Sequence, residues 1–211
     1  MLPTYSGRTR SHYLLPSQLN RSVAKQKEGY QALDGKKKTE EEIVNFSKEL
    51  FDLEDDIEIS VNRVGDVANI PFYSVFYEDG KRVYMDITEK GAHPMNILVE
   101  REIEKSKLSL NDGLIEAEKY LKEFGYEQLD LLQSQQFGDV GVYTFLNTES
   151  DVRIYPDSIV MKVALDNGDI VGLNANDYLY NYHERTIEEP KISAEEARET
   201  VNKGVQIHDE H

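Results

Sequence analysis

Residues 108–125, LSLNDGLIEAEKYLKEFG, decide how the chain is read. Leu114, Ala117, Leu121 and Phe124 recur at intervals of three and four, the spacing that puts apolar side chains on one face of a helix. Ser109 stands where an N-cap belongs, with Asp112 three residues on, and Gly125 stands where a helix stops. The same heading occurs twice more. Residues 38–51, KTEEEIVNFSKELF, carry Thr39 and Glu42; residues 191–204, KISAEEARETVNKG, carry Ser193 and Glu196. Both are capping boxes, in which hydroxyl and carboxylate satisfy N–H groups that the first turn leaves unpaired. The three heads lie 70 and 84 residues apart, the size of small domains rather than of solenoid repeats.

Strand signals follow each complete helix. In the first unit Ile43, Phe46 and Leu50, with Val44 at their margin, form the helix stripe. Alternation then sets Ile57, Ile59 and Val61 against Glu58, Ser60 and Asn62. Strands at 72–77 and 82–87 flank Asp79-Gly80, a hairpin signal because Gly accepts positive φ, and a last strand at 95–100 follows Gly91 and Pro94. The second unit repeats this order with strands at 128–135, 140–147, 158–165 and 170–174, the last two joined at Asn167-Gly168. Residues 147–157 read as a lengthened connection. The third unit has an apolar line of Ala194, Ala197, Val201 and Val205 but no strands to cover, so it is expected to be truncated or to dock elsewhere. The expected fold is α+β: tandem units, each a helix across a curved antiparallel sheet with exposed edges. A basic, irregular lead-in occupies 1–38, and the units occupy 39–105, 106–189 and 190–211, with charged junctions EREIEKSK and ERTIEEPK.

Composition narrows function. The 211 residues hold 40 acidic and 24 basic side chains, a net charge of −16, so phosphate backbones and anionic lipid surfaces are repelled and nucleic acid is not an expected partner. The lead-in is the exception, with eight basic side chains against Glu28 and Asp34. Cys is absent, which excludes disulfides, thiolate metal sites and Cys nucleophiles without fixing the compartment. No apolar run reaches the length of a membrane span, and the opening MLPTYSGRTRSHYLLPSQLN lacks a secretory core. Taken as written, the chain is expected to be soluble; a place outside the cytoplasm would make it a fragment of something longer.

The helix starts KTEEEI and KISAEEA, with the turns DITEKG and LDNGDIVG before a last strand, resemble the PepSY domain. The longer stretches 158–197 and 118–132 are similar to a family of spore-germination proteins that carry tandem PepSY units. That resemblance covers roughly 39–211, least of all 1–38. It implies a non-enzymatic role: binding and stabilising or restraining a cortex-lytic peptidoglycan hydrolase (SleB-like) at the spore inner membrane and cortex. It also implies membrane attachment only through an N-terminal anchor outside this sequence. It implies no catalytic, cofactor-binding or metal residues. Exchange of units between copies is one route to a homodimer. The rival readings are a peptidoglycan- or cation-binding sensor and a hydrolase without a known motif.

Each chemical constellation has a plainer reading beside it. Asp52, Glu54, Asp55, Asp56 and Glu58 read as a solvated acidic loop before they read as a cation site or glycosidase pair, which needs two carboxyls in one cleft. DNGDIVGLNAND fails as a calcium loop, because Gly168 and Val171 stand at its third and sixth positions. Of the five histidines, His93 reads as a turn residue, and His208 with His211 is the one pair at metal-ligand spacing; His12 and His183 suggest nothing. GxSxG, P-loop and GxGxxG patterns are missing. Tyr178, Tyr180 and Tyr182 alternate, so on an extended chain three phenols share a face; they are candidates for partner binding or for packing between units. Tyr73, Tyr77 and Tyr84 read as sheet residues rather than a glycan platform.

Overall fold

In a computed structural model, residues 35–199 are described apart from 68, 69, 151, 184, 188–190, 194, 195, 197 and, for side chains, 66 and 67. Helix α1 (Glu40–Phe51) opens on a complete Thr39–Glu42 capping box, and α2 (Leu110–Glu123) opens on Ser109–Asp112, equally complete. A third box forms at Ser193, whose N–H donates to Glu196 Oε2 over 2.8 Å while its Oγ accepts from Glu196 N–H. Helix α2 ends as its sequence requires: Gly125 takes φ +78°, its N–H reaches the Lys122 carbonyl, and Tyr126 N–H reaches Leu121. In α1 the left-handed position falls on Asp52, with φ +50°, and Leu53 N–H bonds the Lys48 carbonyl.

Each helix leads into a four-stranded antiparallel meander. The first is β1 (Ser60–Val67), β2 (Ile70–Glu78), β3 (Arg82–Thr88) and β4 (Pro94–Glu100). The second is β5 (Leu129–Phe137), β6 (Val140–Glu149), β7 (Val152–Ala164) and β8 (Ile170–Asn174), followed by the short helix α3 (Asn176–Asn181). The two meanders share one sheet of eight strands in the order β1-β2-β3-β4-β8-β7-β6-β5. β4 and β8 pair antiparallel through Asn96↔Asn174, Ile97↔Leu173 and Leu98↔Gly172. An approximate two-fold axis therefore passes between Ile97 and Leu173 and relates the two units.

Three sequence expectations change. The inner edges β4 and β8 satisfy each other, so among the described strands only β1 and β5 stand at an edge of the sheet. Residues 147–157 are not a loose connection but the far end of the β6–β7 hairpin, paired through Asn147↔Ile154 and Glu149↔Val152. The first strand starts at Ser60, three residues later than the alternation suggests, and runs on to Val67. Residues 36–38 also pair: Lys38 N–H donates to the Glu89 carbonyl, and Gly91 N–H to that of Lys36. The apolar line of the third unit (Ala194, Ala197, Val201, Val205) lies outside the residues whose side chains are described, as do His12, His208 and His211.

Both helices lie on one face of the sheet. Phe46 and Leu50 of α1 and Phe124 at the end of α2 line one small pocket and pack into the same core. Beneath them every second strand residue is buried: Tyr73, Val75 and Tyr77 on β2, Val83, Met85 and Ile87 on β3, and Ile159, Met161 and Val163 on β7. Burying each such side chain contributes about 1.5–3 kcal/mol relative to leaving it in water. The deepest helix positions are Ile43 and Ser47 in α1 and Gly113, Ala117 and Leu121 in α2. Ile43, Ala117 and Leu121 belong to the predicted stripes, and the small residues Ser47 and Gly113 join them where the helices press on the sheet. A Cβ on Gly113 would lie 2.3 Å from the Tyr143 hydroxyl, which donates to the Leu110 carbonyl over 2.8 Å.

Arginine forks fasten the chain where units meet. Arg101 spans both carboxylate oxygens of Asp166 at 2.8 Å, so the segment entering α2 is tied to the β7–β8 turn. Arg185 holds buried Asp157 at 2.6 and 2.9 Å and Glu149 at 3.0 Å, tying the exit from α3 to the β6–β7 hairpin. Such forks supply fixed geometry as well as energy.

Candidate functional site

The sheet face opposite α1 and α2 carries the side chains that the core does not claim. On unit 1 they fall into two rows across the strands. One row is Phe76, Tyr84 and Leu98, directly paired through Phe76↔Tyr84 and Tyr84↔Leu98. They are 37%, 40% and 52% exposed, and the two rings lie 5.0 Å apart. An aromatic and aliphatic row left partly in water across three adjacent strands is the kind of patch that marks an interaction surface. The other row is polar: Asn62, Ser74, Asp86, Asn96 and, across the seam, Asn174, each paired with the next. Together the rows line a shallow cleft of about 360 Å³.

Asp86 is the polar row's centre. Its carboxylate accepts from Ser74 Oγ at 2.6 Å and from Asn96 Nδ2 at 3.4 Å. Asn176, at the start of α3, in turn donates to Asn96 Oδ1 at 3.0 Å, so α3 borders this end of the cleft. The Tyr180 phenol is held above its ordinary pKa by burial first and by the Asp86 charge second.

The three candidate tyrosines therefore divide. Residues 176–181 are helical, not extended, so alternation does not place three phenols on one face. A short run of this kind fits either period, and the chain's return over the sheet end selects the helix. Tyr178 is buried, edge-on to Tyr126 at 5.3 Å and stacked on Tyr182 at 5.0 Å, one helical turn away. Tyr126 donates to the Pro94 carbonyl at 2.7 Å, so this cluster packs units 1 and 2 together. Tyr180 and Tyr182 remain half-buried. His93 sits in the turn before β4, buried, its Nδ1 at 2.7 Å from the Phe124 carbonyl at the end of α2. That distance makes Nδ1 the donor.

The remaining candidates sort by burial. Tyr73 and Tyr77 belong to the core, whereas Tyr84 belongs to the open face. Asp52, Glu54, Asp55, Asp56 and Glu58 are all exposed, and Lys48 Nζ approaches Asp55 at 3.7 Å. Asn167-Gly168 makes the predicted hairpin turn, with Gly168 at φ +88°. Among the described residues no three His, Asp or Glu side chains converge as metal ligands, and no helix is long and apolar enough to cross a membrane. Sequence reasoning missed the Phe76–Tyr84–Leu98 row. Alternation shows that these residues share a face, but which face the helices leave free is a tertiary fact.

Comparison with known proteins points the same way as the helix and turn pattern. Residues 16–188 match the family model for YpeB sporulation proteins, PepSY1 and PepSY2 domains, beginning inside the lead-in to which the sequence pattern assigned nothing. The sporulation protein YpeB of Oceanobacillus iheyensis is 42% identical over 191 residues, 90% of this chain and 43% of that protein. Its counterpart in Bacillus subtilis is 39% identical over 191 residues, 88% of this chain and 42% of that protein. The chain thus spans about two-fifths of the length of the curated relatives it matches. The solved Bacillus megaterium YpeB C-terminal domain superposes with a TM-score of 0.72 at 35% identity, over 84% of this chain and 80% of that one.

Proposed function

The chain belongs to the YpeB family of sporulation proteins, built of PepSY domains, and on that footing we propose that it is a non-enzymatic module that binds and stabilises or restrains a cortex-lytic peptidoglycan hydrolase. The working place is the region between the inner membrane and the cortex of the dormant spore. One observation carries the docking part of this reading: Phe76, Tyr84 and Leu98 form a contiguous apolar row on the sheet face opposite α1 and α2. Aromatic anchors of this kind dominate protein interfaces when a polar rim surrounds them, and the Ser74–Asp86–Asn96 row is such a rim. Tyr180, whose phenol feels the Asp86 charge, borders this polar row and extends the contact.

The test is direct. The immobilised chain retains the hydrolase of the same spore at micromolar concentration, and its presence changes either the rate of cortex hydrolysis or the survival of the enzyme under protease. Retention lost in a Phe76→Thr, Tyr84→Val, Leu98→Asn variant places the contact on this face. No retention, with hydrolysis and lifetime unchanged, sinks the reading.

A second reading, a peptidoglycan-binding sensor, is favoured by the amide groups of Asn62, Asn96 and Asn174 aligned beside two aromatic rings. Sedimentation with purified cortex peptidoglycan separates the two.

A further inference from the structure

We infer that the open face of unit 1 recognises a basic side chain set in an apolar surface of its protein partner, and that Asp86 is the anchor for that charge. The inference rests on the protein-docking reading above and adds the chemistry that the partner must present.

Its basis is a contrast among carboxylates. The three buried ones are each matched by arginine: Glu89 by Arg63, Asp157 by Arg185 and Asp166 by Arg101. Asp86 is half-buried on the open face, and among the described residues no Lys, Arg or His forms an ion pair with it. Its partners are a hydroxyl and an amide, which orient the carboxylate without neutralising it. It is paired across the strands with Ser74 and Asn96, one step from the apolar row. A carboxylate partly withdrawn from water beside exposed apolar surface gains from a cation that arrives with its own apolar surround.

The rest of the molecule selects among occupants. A net charge of −16 attracts a basic partner at long range and opposes a second copy of this chain. An uncharged glycan strand would cover the cleft and leave the carboxylate unmatched. Under the two-fold relation the position equivalent to Asp86 in unit 2 is Lys162, so unit 2 does not repeat the anchor.

The experiment measures affinity of the same-spore hydrolase for the full chain and for Asp86→Asn, Asp86→Lys and, as a charge-matched control on the exposed hairpin turn, Asp79→Asn. Asn retains an oxygen for Ser74, and melting midpoints confirm that each variant folds. The expected result is a loss of at least about tenfold for Asp86→Asn, a larger loss for Asp86→Lys and less than about twofold for Asp79→Asn. Affinity also falls with added salt in the wild type, and less steeply in Asp86→Asn. Asp86→Asn binding as tightly as Asp79→Asn, while the Phe76→Thr, Tyr84→Val, Leu98→Asn variant fails, overturns the anchor and leaves the docking reading intact. No binding by the wild type overturns both. A wild-type dimer that Asp86→Lys abolishes, or cortex peptidoglycan binding that Asp86→Asn abolishes, assigns the face to another occupant and overturns the inference.

Discussion

The two units use one scaffold and expose different surfaces. Residues buried under α1 in unit 1 have buried counterparts under α2: Val75 and Tyr143, Met85 and Met161, Ile97 and Leu173. On the opposite face the correspondence ends. The register relates Phe76, Tyr84 and Leu98 to Thr144, Val160 and Asn174, and Ser74, Asp86 and Asn96 to Val142, Lys162 and Gly172. Lys162 lays its stem over Gly172, whose Cβ position would lie 3.1 Å from its Cδ. The duplicated core is what folding requires twice. The open face is not duplicated, so the fold does not fix its residues.

Exchanging residues between units tests this division. Ile43 and Gly113 are equivalent helix positions, both fully covered. Ile43→Gly should cost about 4 kcal/mol in chemical denaturation, from the cavity and the lost helix propensity. Gly113→Ile should cost at least about 3 kcal/mol, because it displaces the Tyr143 hydroxyl from its partly buried bond to the Leu110 carbonyl. If both are tolerated, the helices do not sit on the sheet as described.

The carboxylates of the two equivalent turns come next. Asp166 is held at about 2, below its ordinary 3.8, chiefly by the Arg101 fork. A depressed carboxyl stabilises the fold above its unfolded pKa and loses that contribution as pH falls through the folded one. Acidification from about pH 4 to 2 should therefore remove about 2 kcal/mol, and Asp166→Asn should flatten that part of the acid-unfolding profile. Glu89 is lowered too, first by Arg63, but its cations Arg63 and Lys37 are far more exposed, so Glu89→Gln should change the profile less.

Smaller effects separate fold from surface. Giving unit 1 the open face of unit 2 through Phe76→Thr, Tyr84→Val and Leu98→Asn should move stability by only about 1 kcal/mol, mostly the lost ring pair. A larger collapse would mean that the row is structural. Asp52→Gly should be neutral to stabilising by up to about 1 kcal/mol in denaturant melts, since Asp52 occupies at φ +50° the place that Gly125 fills in unit 2.

Local chemistry made much of the fold legible. Thr39, Ser109 and Ser193 mark helix starts, and Gly80, Gly125 and Gly168 mark reversals, because capping and positive φ are short-range demands. The seam between β4 and β8 left no such mark, since edge pairing is backbone chemistry that almost any side chains accept. Residues 147–157 look like a loop because Asn147, Asp157 and Glu149 are polar. They form a strand pair in which Arg185, far along the chain, satisfies Glu149 and Asp157, and Asn147 donates to the same two carboxylates. Asp86 was legible only as part of a turn motif; that no cation pairs with it among the described residues appears once Arg63, Arg101 and Arg185 are seen to serve other carboxylates.

The β4–β8 seam also has a consequence for biosynthesis. Unit 1 leaves the ribosome with β4 complete, while its permanent neighbour β8 is encoded some seventy residues further on. At ordinary translation speeds of 5–20 residues per second, the nascent chain spends roughly 4–15 seconds with an unzipped flank open to any passing strand. A chaperone or a pause that shelters that interval would raise yield, and splitting the coding region at residues 101–107 would expose the same liability for as long as the halves stay apart.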